Sequence, residues 1–148
     1  MASVVRRAEA TWEGGLASGK GVVSAVSSGA FTDLPVSWAS RTERSDGRTS
    51  PEELVAAAHA SCYCMALSHG LGEGGTPPEK LEVSATVTFE QIEGGWKVAS
   101  SALTVKGAVP GIDPSSFQEA AEAAKDGCPI SGALKGNVDL SVEATLAG

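Results

Sequence analysis

The sequence predicts an α+β fold in which one long helix separates two groups of strands. Apolar and polar residues alternate in several short segments before residue 42 and after residue 80, as half-buried strands do. Between Glu52 and His69 the chain is rich in Ala and Leu and contains no Gly or Pro. There is no Gly-rich phosphate loop and no repeated βαβ pattern, which argues against a dinucleotide-binding fold. A length of 148 residues suits one domain, predicted over residues 1–148.

Three strands are predicted before the helix. Residues 4–13 alternate as a half-buried strand, and glycines at 14–21 then turn the chain into a second strand over residues 22–27, which completes a hairpin. Alternation over residues 34–41 predicts a third strand, with Pro35 at its edge. A polar loop over residues 42–49 follows, and Arg41, Arg44 and Arg48 are concentrated around it. Each of these arginines, taken alone, is expected to be a solvated surface residue.

The central helix is predicted to begin at Ser50, a good N-cap, with Pro51 in the first turn and Glu53 placed to close a capping box. It should end near Gly70 and the Gly/Pro segment 72–78. About twenty residues span roughly 30 Å. Small side chains around most of the circumference predict a helix that is buried on nearly all sides.

After the helix the pattern predicts a second hairpin, two helices and a closing strand. Strands are expected over residues 81–92 and 96–109, and the apolar positions change from even to odd near Ser100, which predicts a bulge. Asp113 caps a helix with an apolar face from Phe117 to Ala124, and Gly127 ends it. A short helix over residues 128–134 precedes the alternating strand 138–146.

Charge and composition exclude several function classes. Lys and Arg number 11 against 18 Asp and Glu, a net charge of −7, which gives no support for a nucleic-acid or anionic-membrane partner. The first residues lack the apolar core of a signal peptide, and no membrane-spanning run is expected, so a cytoplasmic location is predicted. In a reducing compartment three cysteines are expected to be catalytic, metal-binding or inert, rather than a disulfide framework.

The chemistry is expected at the sulfurs. Cys62 and Cys64 are two residues apart on a helix and point in nearly opposite directions, so only one can share a site with Cys128. Cys128 precedes a helix, where a thiolate is stabilised. His59 and His69 lie on the same helix, which permits a Cys-His nucleophile pair or a metal site. The alternative is that these residues have only structural roles. A Cys within a helix is usually a small core residue, and a His within a helix is usually buried and hydrogen-bonded.

Several motifs, in order along the whole chain, resemble those of one known family. They are WEG at 12–14, GKG at 19–21, TSPEELVAAAHASC at 49–62, MALS at 65–68, VPGID at 109–113 and GCPIS at 127–131. The sequence resembles the OsmC/Ohr family of osmotically inducible and organic hydroperoxide resistance proteins. The His before the Cys and the VPGID segment resemble the OsmC branch more than the Ohr branch.

The resemblance implies antiparallel sheets wrapped around a long central helix and an intertwined homodimer. It also implies a thiol peroxidase of the oxidative and osmotic stress response that reduces organic hydroperoxides without a metal or a bound organic cofactor. Cys62 would be the peroxidatic cysteine and Cys128 the resolving cysteine. Arg41, with Arg44 and Arg48 as competitors, would be the family arginine, and Glu52 the family glutamate that holds it. A dithiol system such as a lipoylated protein would reduce the enzyme.

Two other functions remain open at this point. The chain could be a non-catalytic dimeric protein that binds a small molecule in an apolar pocket, or a Cys-His hydrolase. Helix geometry adds an argument for the dimer, because Glu52 and Cys62 are ten residues apart and their backbones are separated by about 15 Å on one continuous helix. If Glu52 acts beside Cys62, it would do so most simply from a second copy of the helix, packed antiparallel across a two-fold axis.

Overall fold

The computed structural model describes residues 2–147, which divide into two compact units, one ending at Glu53 and the other beginning at Leu54. The predicted α+β class is confirmed, with a three-stranded sheet in each unit and a long helix that begins in the first unit and continues into the second. One domain over residues 1–148 stays a prediction, and the two units are described separately below.

The first unit contains the antiparallel sheet β1 (Ala8–Glu13), β2 (Lys20–Ala25) and β3 (Leu34–Val36). The predicted hairpin is confirmed, since β1 pairs with β2 along their full length. The prediction that the first strand is half-buried is wrong, because every residue of β1 is exposed in the single chain. This edge strand leaves Trp12 41% exposed. Large apolar side chains on an open sheet edge offer a surface that another chain can cover.

The third strand is shorter than predicted, and the residues after it form the short helix α1 (Ala39–Thr42). Ser37 and Ser40 exchange hydrogen bonds here, since each backbone amide donates to the other residue's hydroxyl, at 3.1 and 3.0 Å. Paired serines three residues apart can satisfy amide groups at a helix start and compete with strand pairing. Arg41 therefore lies on a helical turn rather than at the end of a strand.

The long helix α2 (Pro51–Glu73) begins as predicted. The Glu53 amide donates to the Ser50 hydroxyl at 3.1 Å, the N-cap hydrogen bond. The capping box is not closed in the predicted way, because the Glu53 carboxylate accepts a hydrogen bond from the Thr49 hydroxyl at 2.7 Å. Thr49 also makes an isolated bridge with Val36, so the residues before the helix are held in position.

The burial predicted for α2 is wrong within one chain. Its fully buried positions after the first turn form one stripe at four-residue spacing, made of His59, Tyr63, Leu67 and Leu71. Four-residue spacing keeps side chains on one side of a helix. Met65 is 69% exposed. The small residues of α2 therefore leave much of its surface available to a partner.

By length and composition alone, α2 could cross a membrane, with a mean hydropathy of 1.2 over an 18-residue window. The expectation that no such run exists is therefore corrected. The buried stripe packs with strand residues such as Leu103 and Val105 in the same hydrophobic core. One face of α2 is therefore a core face, while 22% of that window is buried within the single chain.

The second unit contains the sheet β4 (Lys80–Ile92), β5 (Gly95–Ala108) and β6 (Asp139–Leu146). The predicted bulge is confirmed, since Thr88 pairs with Ser100 and Phe89 pairs with Val98, which leaves Ala99 as the extra residue. The expectation of purely antiparallel sheets fails at β6, which pairs parallel with β5. A connection containing two helices lies between these strands, and it is long enough to return the chain for parallel pairing.

Those helices are α3 (Pro114–Gly127) and α4 (Pro129–Leu134). Asp113 caps α3 as predicted, because its carboxylate accepts from the Ser116 amide at 2.8 Å. This hydrogen bond holds the pKa of the exposed Asp113 carboxyl below its usual range. Phe117 is buried over Gly107 of β5, where an added Cβ would lie 2.7 Å from the ring. Close helix-sheet packing therefore requires glycine at that position.

Candidate active site

Cys62 and Cys128, the two cysteines predicted to share a site, are neighbours in the second unit. Cys62 is partly buried on α2, and Cys128 lies in the core at the start of α4 with 1% of its surface exposed. Cys62 packs against the core cluster that contains Cys128, each side chain acts on the pKa of the other, and both sulfurs are free thiols. Two neighbouring free thiols can exchange a proton or close to a disulfide once their geometry allows it.

The surroundings of the two sulfurs differ. Burial raises the pKa of the Cys62 thiol, and although the Ile130 amide acts against this, the side chain of Cys128 adds to the rise. Burial opposes the Cys128 thiolate as well, but the Ser131 amide, the Cys62 side chain, the Ser131 hydroxyl and the Ile130 amide together lower the pKa of Cys128. The Cys128 sulfur makes no close capping hydrogen bond to α4. These groups therefore act on it as nearby dipoles rather than as tight ligands.

Cys64 is separate from this pair. Two residues along α2 turn its side chain about 200° from that of Cys62. Cys64 is partly buried, and burial raises the pKa of its thiol. This agrees with its expected place as a small core residue rather than as a reacting thiol.

His59 is fully buried, and both of its ring nitrogens are engaged. Nδ1 lies 2.6 Å from the Ser101 hydroxyl of β5, and Nε2 lies 2.8 Å from the Ser131 hydroxyl of α4. Burial lowers the pKa of the imidazole, so the neutral ring is favoured. His59 is therefore the buried, hydrogen-bonded residue that its position predicted. With both nitrogens occupied by hydroxyls, it does not act on Cys62 as the base of a hydrolase would.

Ser101 and Ser131 are site residues that the sequence reasoning missed. Ser101 occupies an inward position of β5, between apolar residues such as Leu103, and is fully buried. Ser131 follows Cys128 by three residues and is 2% exposed. A serine at a position where the alternation requires an apolar side chain implies a buried polar partner. That signal was available, but it does not say which partner the serine has.

Arg41 and Glu52 meet in the first unit. The Arg41 Nε donates to one Glu52 carboxylate oxygen at 3.0 Å, and Nη2 donates to the other at 2.8 Å. This two-point geometry is the strongest form of an arginine-carboxylate pair. The Arg41 guanidinium also lies over the Trp38 ring, 5.4 Å from its centre. Arg44 and Arg48, the competing arginines, are on the exposed loop between α1 and α2.

A cavity of about 260 Å³ adjoins this pair within the first unit. Arg41 lines it together with apolar or small residues, namely Trp12, Leu16, Val36, Ser37, Trp38 and Pro51. Trp38 therefore lines an apolar pocket. The cavity has the size and composition for a small apolar group beside a cation.

The two histidines of α2, His59 and His69, do not belong to a metal-binding cluster of described residues. Within residues 2–147 no group of three or more His, Cys, Asp or Glu side chains is placed to hold a metal ion. His59 is engaged by two serines, and His69 is exposed at the far end of α2. What the described residues do provide is a thiol pair, a set of dipoles around Cys128 and a fixed guanidinium. These are the parts needed for thiol redox chemistry.

Comparison with known proteins identifies the family. The profile of the OsmC-like protein family matches residues 44–143, which include Glu52, Cys62 and Cys128. The chain belongs to the OsmC family. It is 40% identical over 141 residues to Peroxiredoxin OsmC of Escherichia coli (strain K12), covering 95% of this chain and 97% of the relative.

Members of the Ohr branch are more distant in sequence. The Organic hydroperoxide resistance protein of Xanthomonas axonopodis pv. citri (strain 306) is 30% identical over 95 residues, covering 64% of this chain and 65% of the relative. The crystal structure of the Organic Hydroperoxide Resistance Protein OhrB of Bacillus subtilis matches with a TM-score of 0.75 at 30% identity, over 94% of this chain and 98% of that one. An organic hydroperoxide resistance protein from Elizabethkingia anophelis matches with a TM-score of 0.78 at 25% identity, over 99% and 100% of the two chains. The OsmC-like fold predicted for the chain is therefore confirmed.

Proposed function

We propose that this protein is a thiol peroxidase that reduces organic hydroperoxides to alcohols. The observation that carries the proposal is the pairing of two free thiols, Cys62 and Cys128, in unequal surroundings inside the core. Relatives named as a peroxiredoxin and as organic hydroperoxide resistance proteins support the same chemistry. Cys62, the more exposed of the two, is the thiol that a substrate can reach.

In the proposed reaction the Cys62 thiolate attacks the outer oxygen of the hydroperoxide, and the O–O bond breaks. Cys62 becomes a sulfenic acid, and the alkoxide leaves and takes up a proton to become the alcohol. The Cys128 thiolate then attacks the Cys62 sulfur, an S–S bond forms, and hydroxide leaves and is protonated to water. A dithiol reductant, such as the dihydrolipoyl group of a lipoylated protein, restores both thiols by disulfide exchange.

The first step needs a cation beside Cys62, and no cationic side chain is among the described groups that act on the pKa of Cys62. Burial raises the pKa of Cys62, which disfavours the attacking thiolate. Arg41 can stabilise both that thiolate and the alkoxide, and Glu52 holds its guanidinium in a fixed orientation. The helix α2 separates the backbones of Glu52 and Cys62 by about 15 Å, so a carboxylate cannot span the distance within one chain.

We therefore propose that the partner chain of a homodimer brings its Arg41–Glu52 pair to Cys62. Two antiparallel α2 helices would place the start of each near the middle of the other, giving two shared sites. Two exposed surfaces support this arrangement, the part of α2 around Met65 and the edge strand that carries Trp12. Small residues such as Ala57 and Ala58 permit close approach. We propose the cytoplasm as the location, because a reducing compartment keeps thiols available for this chemistry.

The test compares three serine variants in a peroxide-consumption assay with a dithiol reductant. Cys62→Ser is expected to abolish turnover, and Cys128→Ser to stop after one sulfenylation. Cys64→Ser, the matched control on the same helix, should change little. Mass spectrometry after one equivalent of alkyl hydroperoxide should show a Cys62–Cys128 disulfide. Full activity of Cys62→Ser would refute the proposal in favour of a binding protein, and a Cys62–Cys64 bridge as the main product would refute the assignment of Cys128.

A further inference from the structure

A buried line of three polar side chains ends beside Cys128, and the proposed reaction does not yet use it. It runs from Ser101 on β5 through His59 on α2 to Ser131 on α4, with contacts of 2.6 and 2.8 Å at the imidazole. Cys128 is the N-cap residue of α4 and Ser131 follows it by three residues, so their side chains flank the same helix start. The Ser131 hydroxyl is also among the groups that lower the pKa of Cys128. All four residues are 0 to 2% exposed. Buried polar groups are costly unless each has a partner, so the order of donors along this line is restricted.

The imidazole decides that order. A neutral ring has one N–H donor and one acceptor nitrogen. If Nε2 accepts, the Ser131 hydroxyl proton points to His59 and cannot serve Cys128. If Nε2 donates, Ser131 accepts there and its own proton is free for the sulfur, while Nδ1 accepts from the Ser101 hydroxyl. The second arrangement satisfies every member of the line when Cys128 is a thiolate, because a thiolate can only accept.

We propose that His59 is a positioning residue for the resolving thiol: it holds the Ser131 hydroxyl as a donor to Cys128, with Ser101 fixing the tautomer. This inference rests on the proposed function. It assigns a task to the second step, in which the Cys128 thiolate attacks the Cys62 sulfenic sulfur. The S–S bond forms, the S–O bond breaks, and the leaving hydroxide is protonated to water. Cys128 is oxidised and the sulfenic sulfur is reduced, so no further reagent is consumed.

Removing the Ser131 hydroxyl has two opposing consequences for the rate of disulfide closure. Loss of a hydrogen bond to a charged group shifts an ionisation equilibrium by roughly tenfold or more. The less acidic thiolate is also more nucleophilic, which recovers about half of that change on a logarithmic scale. Ser131→Ala should therefore slow closure of the Cys62–Cys128 disulfide by roughly three- to tenfold near neutral pH. At a pH where the Cys128 thiol ionises without help, the variant should equal or overtake the parent.

Rapid-quench alkylation with mass spectrometry follows sulfenic acid and disulfide separately in Ser131→Ala, His59→Leu and the parent. Tyr63→Phe is the matched control, because it removes another buried hydrogen bond of α2, from the Tyr63 hydroxyl to the Ala121 carbonyl at 2.9 Å. It should leave closure at the parental rate. A defect in Ser131→Ala that persists unchanged at high pH would mean that Cys128 is merely misplaced, and equal rates at all pH values would also overturn the inference.

A second measurement does not depend on peroxidase activity. In a Cys62→Ser, Cys64→Ser background, Cys128 is the remaining thiol, and its ionisation is followed by the ultraviolet absorbance of the thiolate. The titratable Tyr63 is near Cys128 and is present in every chain compared. Adding Ser131→Ala should weaken the ionisation roughly tenfold or more. An unchanged ionisation would overturn the inference, even if the Cys variants confirm the peroxidase; the expected change would support it even if they do not.

Discussion

Cys128 and Arg41 are stabilised in their charged forms by different kinds of neighbouring groups. Cys128 is 1% exposed and is surrounded by neutral dipoles, namely two amides and a hydroxyl. The Arg41 side chain is 29% exposed. It is held by the negatively charged Glu52 carboxylate, whose side chain is 9% exposed. Neutral dipoles can stabilise a buried anion without a second buried charge, whereas a guanidinium near water needs a fixed partner to hold one orientation.

This difference separates the two regions by task. The dipoles around Cys128 belong to the same chain and unit, so they are complete before any partner binds. The Arg41–Glu52 pair is fixed within the first unit, but the proposed reaction needs it at Cys62, whose backbone is about 15 Å from that of Glu52 along the helix. One region is therefore expected to depend on folding alone and the other on assembly. The predictions below test that division.

The largest change in activity is expected when two inactive variants, one altered at Glu52 and the other at Cys62, are mixed to form heterodimers. Glu52→Ala and Cys62→Ser chains should each be nearly inactive as homodimers. A heterodimer has one site that combines Cys62 of the first chain with Glu52 of the second, and activity should return. Sedimentation at assay concentration should show a dimer throughout.

The control for that experiment mixes Cys62→Ser with Cys128→Ser. Both cysteines of a site come from the same chain, so this heterodimer contains no complete site and should stay inactive. If it recovers activity, the thiols react across chains. An active monomer, or no recovery in verified Glu52→Ala and Cys62→Ser heterodimers, contradicts the shared site.

Substrate preference is the next largest effect. The cavity beside Arg41 is lined by Trp12, Leu16 and Trp38, and each buried methylene of an alkyl group contributes about 0.8 kcal/mol. A few methylenes should therefore favour alkyl hydroperoxides over hydrogen peroxide by about ten- to a hundredfold in kcat/KM. Leu16→Ser should reduce this ratio, whereas Val5→Ser, an exposed apolar residue outside the cavity, should not. Equal kcat/KM values for the two peroxides would show that the pocket does not select the substrate.

A smaller loss is expected from neutralising one carboxylate. Glu52→Gln weakens the hold on Arg41, and the charge-assisted hydrogen bonds at stake suggest a fall in kcat/KM of about tenfold. Glu53→Gln is the matched control, because it removes the same charge one residue away, where the carboxylate accepts from Thr49 instead. Thermal unfolding of both variants separates a loss of catalysis from a loss of folding, because the Glu52 carboxylate is largely buried whereas Glu53 is exposed. If the two variants lose activity equally, the pairing geometry has no special role.

The smallest effect concerns acid stability. Burial lowers the pKa of His59 from an ordinary value of 6.5, so just below that pH the unfolded chain binds a proton that the folded chain does not. The free energy of unfolding should therefore fall with falling pH, by at most about 1.4 kcal/mol per pH unit, until the folded imidazole also titrates. Denaturant unfolding of His59→Gln should lack this contribution. An identical slope in parent and variant would show that His59 is accessible to protons in the folded state.

Local features were the most predictable. Ser50 could be recognised as a cap and the bulge near Ser100 as a change of alternation, because both are set by neighbours in sequence. The helix α1 and the parallel pairing of β6 were missed. The first depends on a side-chain exchange between Ser37 and Ser40, and the second on the path of a long connection. Periodicity carries neither kind of information.

The site shows the same limit. Cys62 and Cys128 were selected through their chemistry and through resemblance, and the structure joins Arg41 to Glu52 by two hydrogen bonds. The two serines beside His59 were missed because hydrogen bonds across 42 and 72 residues leave no local pattern. The burial of α2 was overestimated since small side chains predict close packing without saying whether the neighbour belongs to the same chain.

The bulge at Ala99 makes β5 a strand of two independent halves. Val98 opposite Phe89 and Ser101 opposite Val87 both follow inward residues of β4, although an unbroken strand would put them on opposite faces. At the turn-proximal half, Trp96 stacks on Phe89 of β4 at a partly exposed tip, and the other half anchors Ser101 in the core. A change in the length of the hairpin tip can thus be absorbed beyond the bulge by rotating the tip, while the hydroxyl beside His59 stays in place.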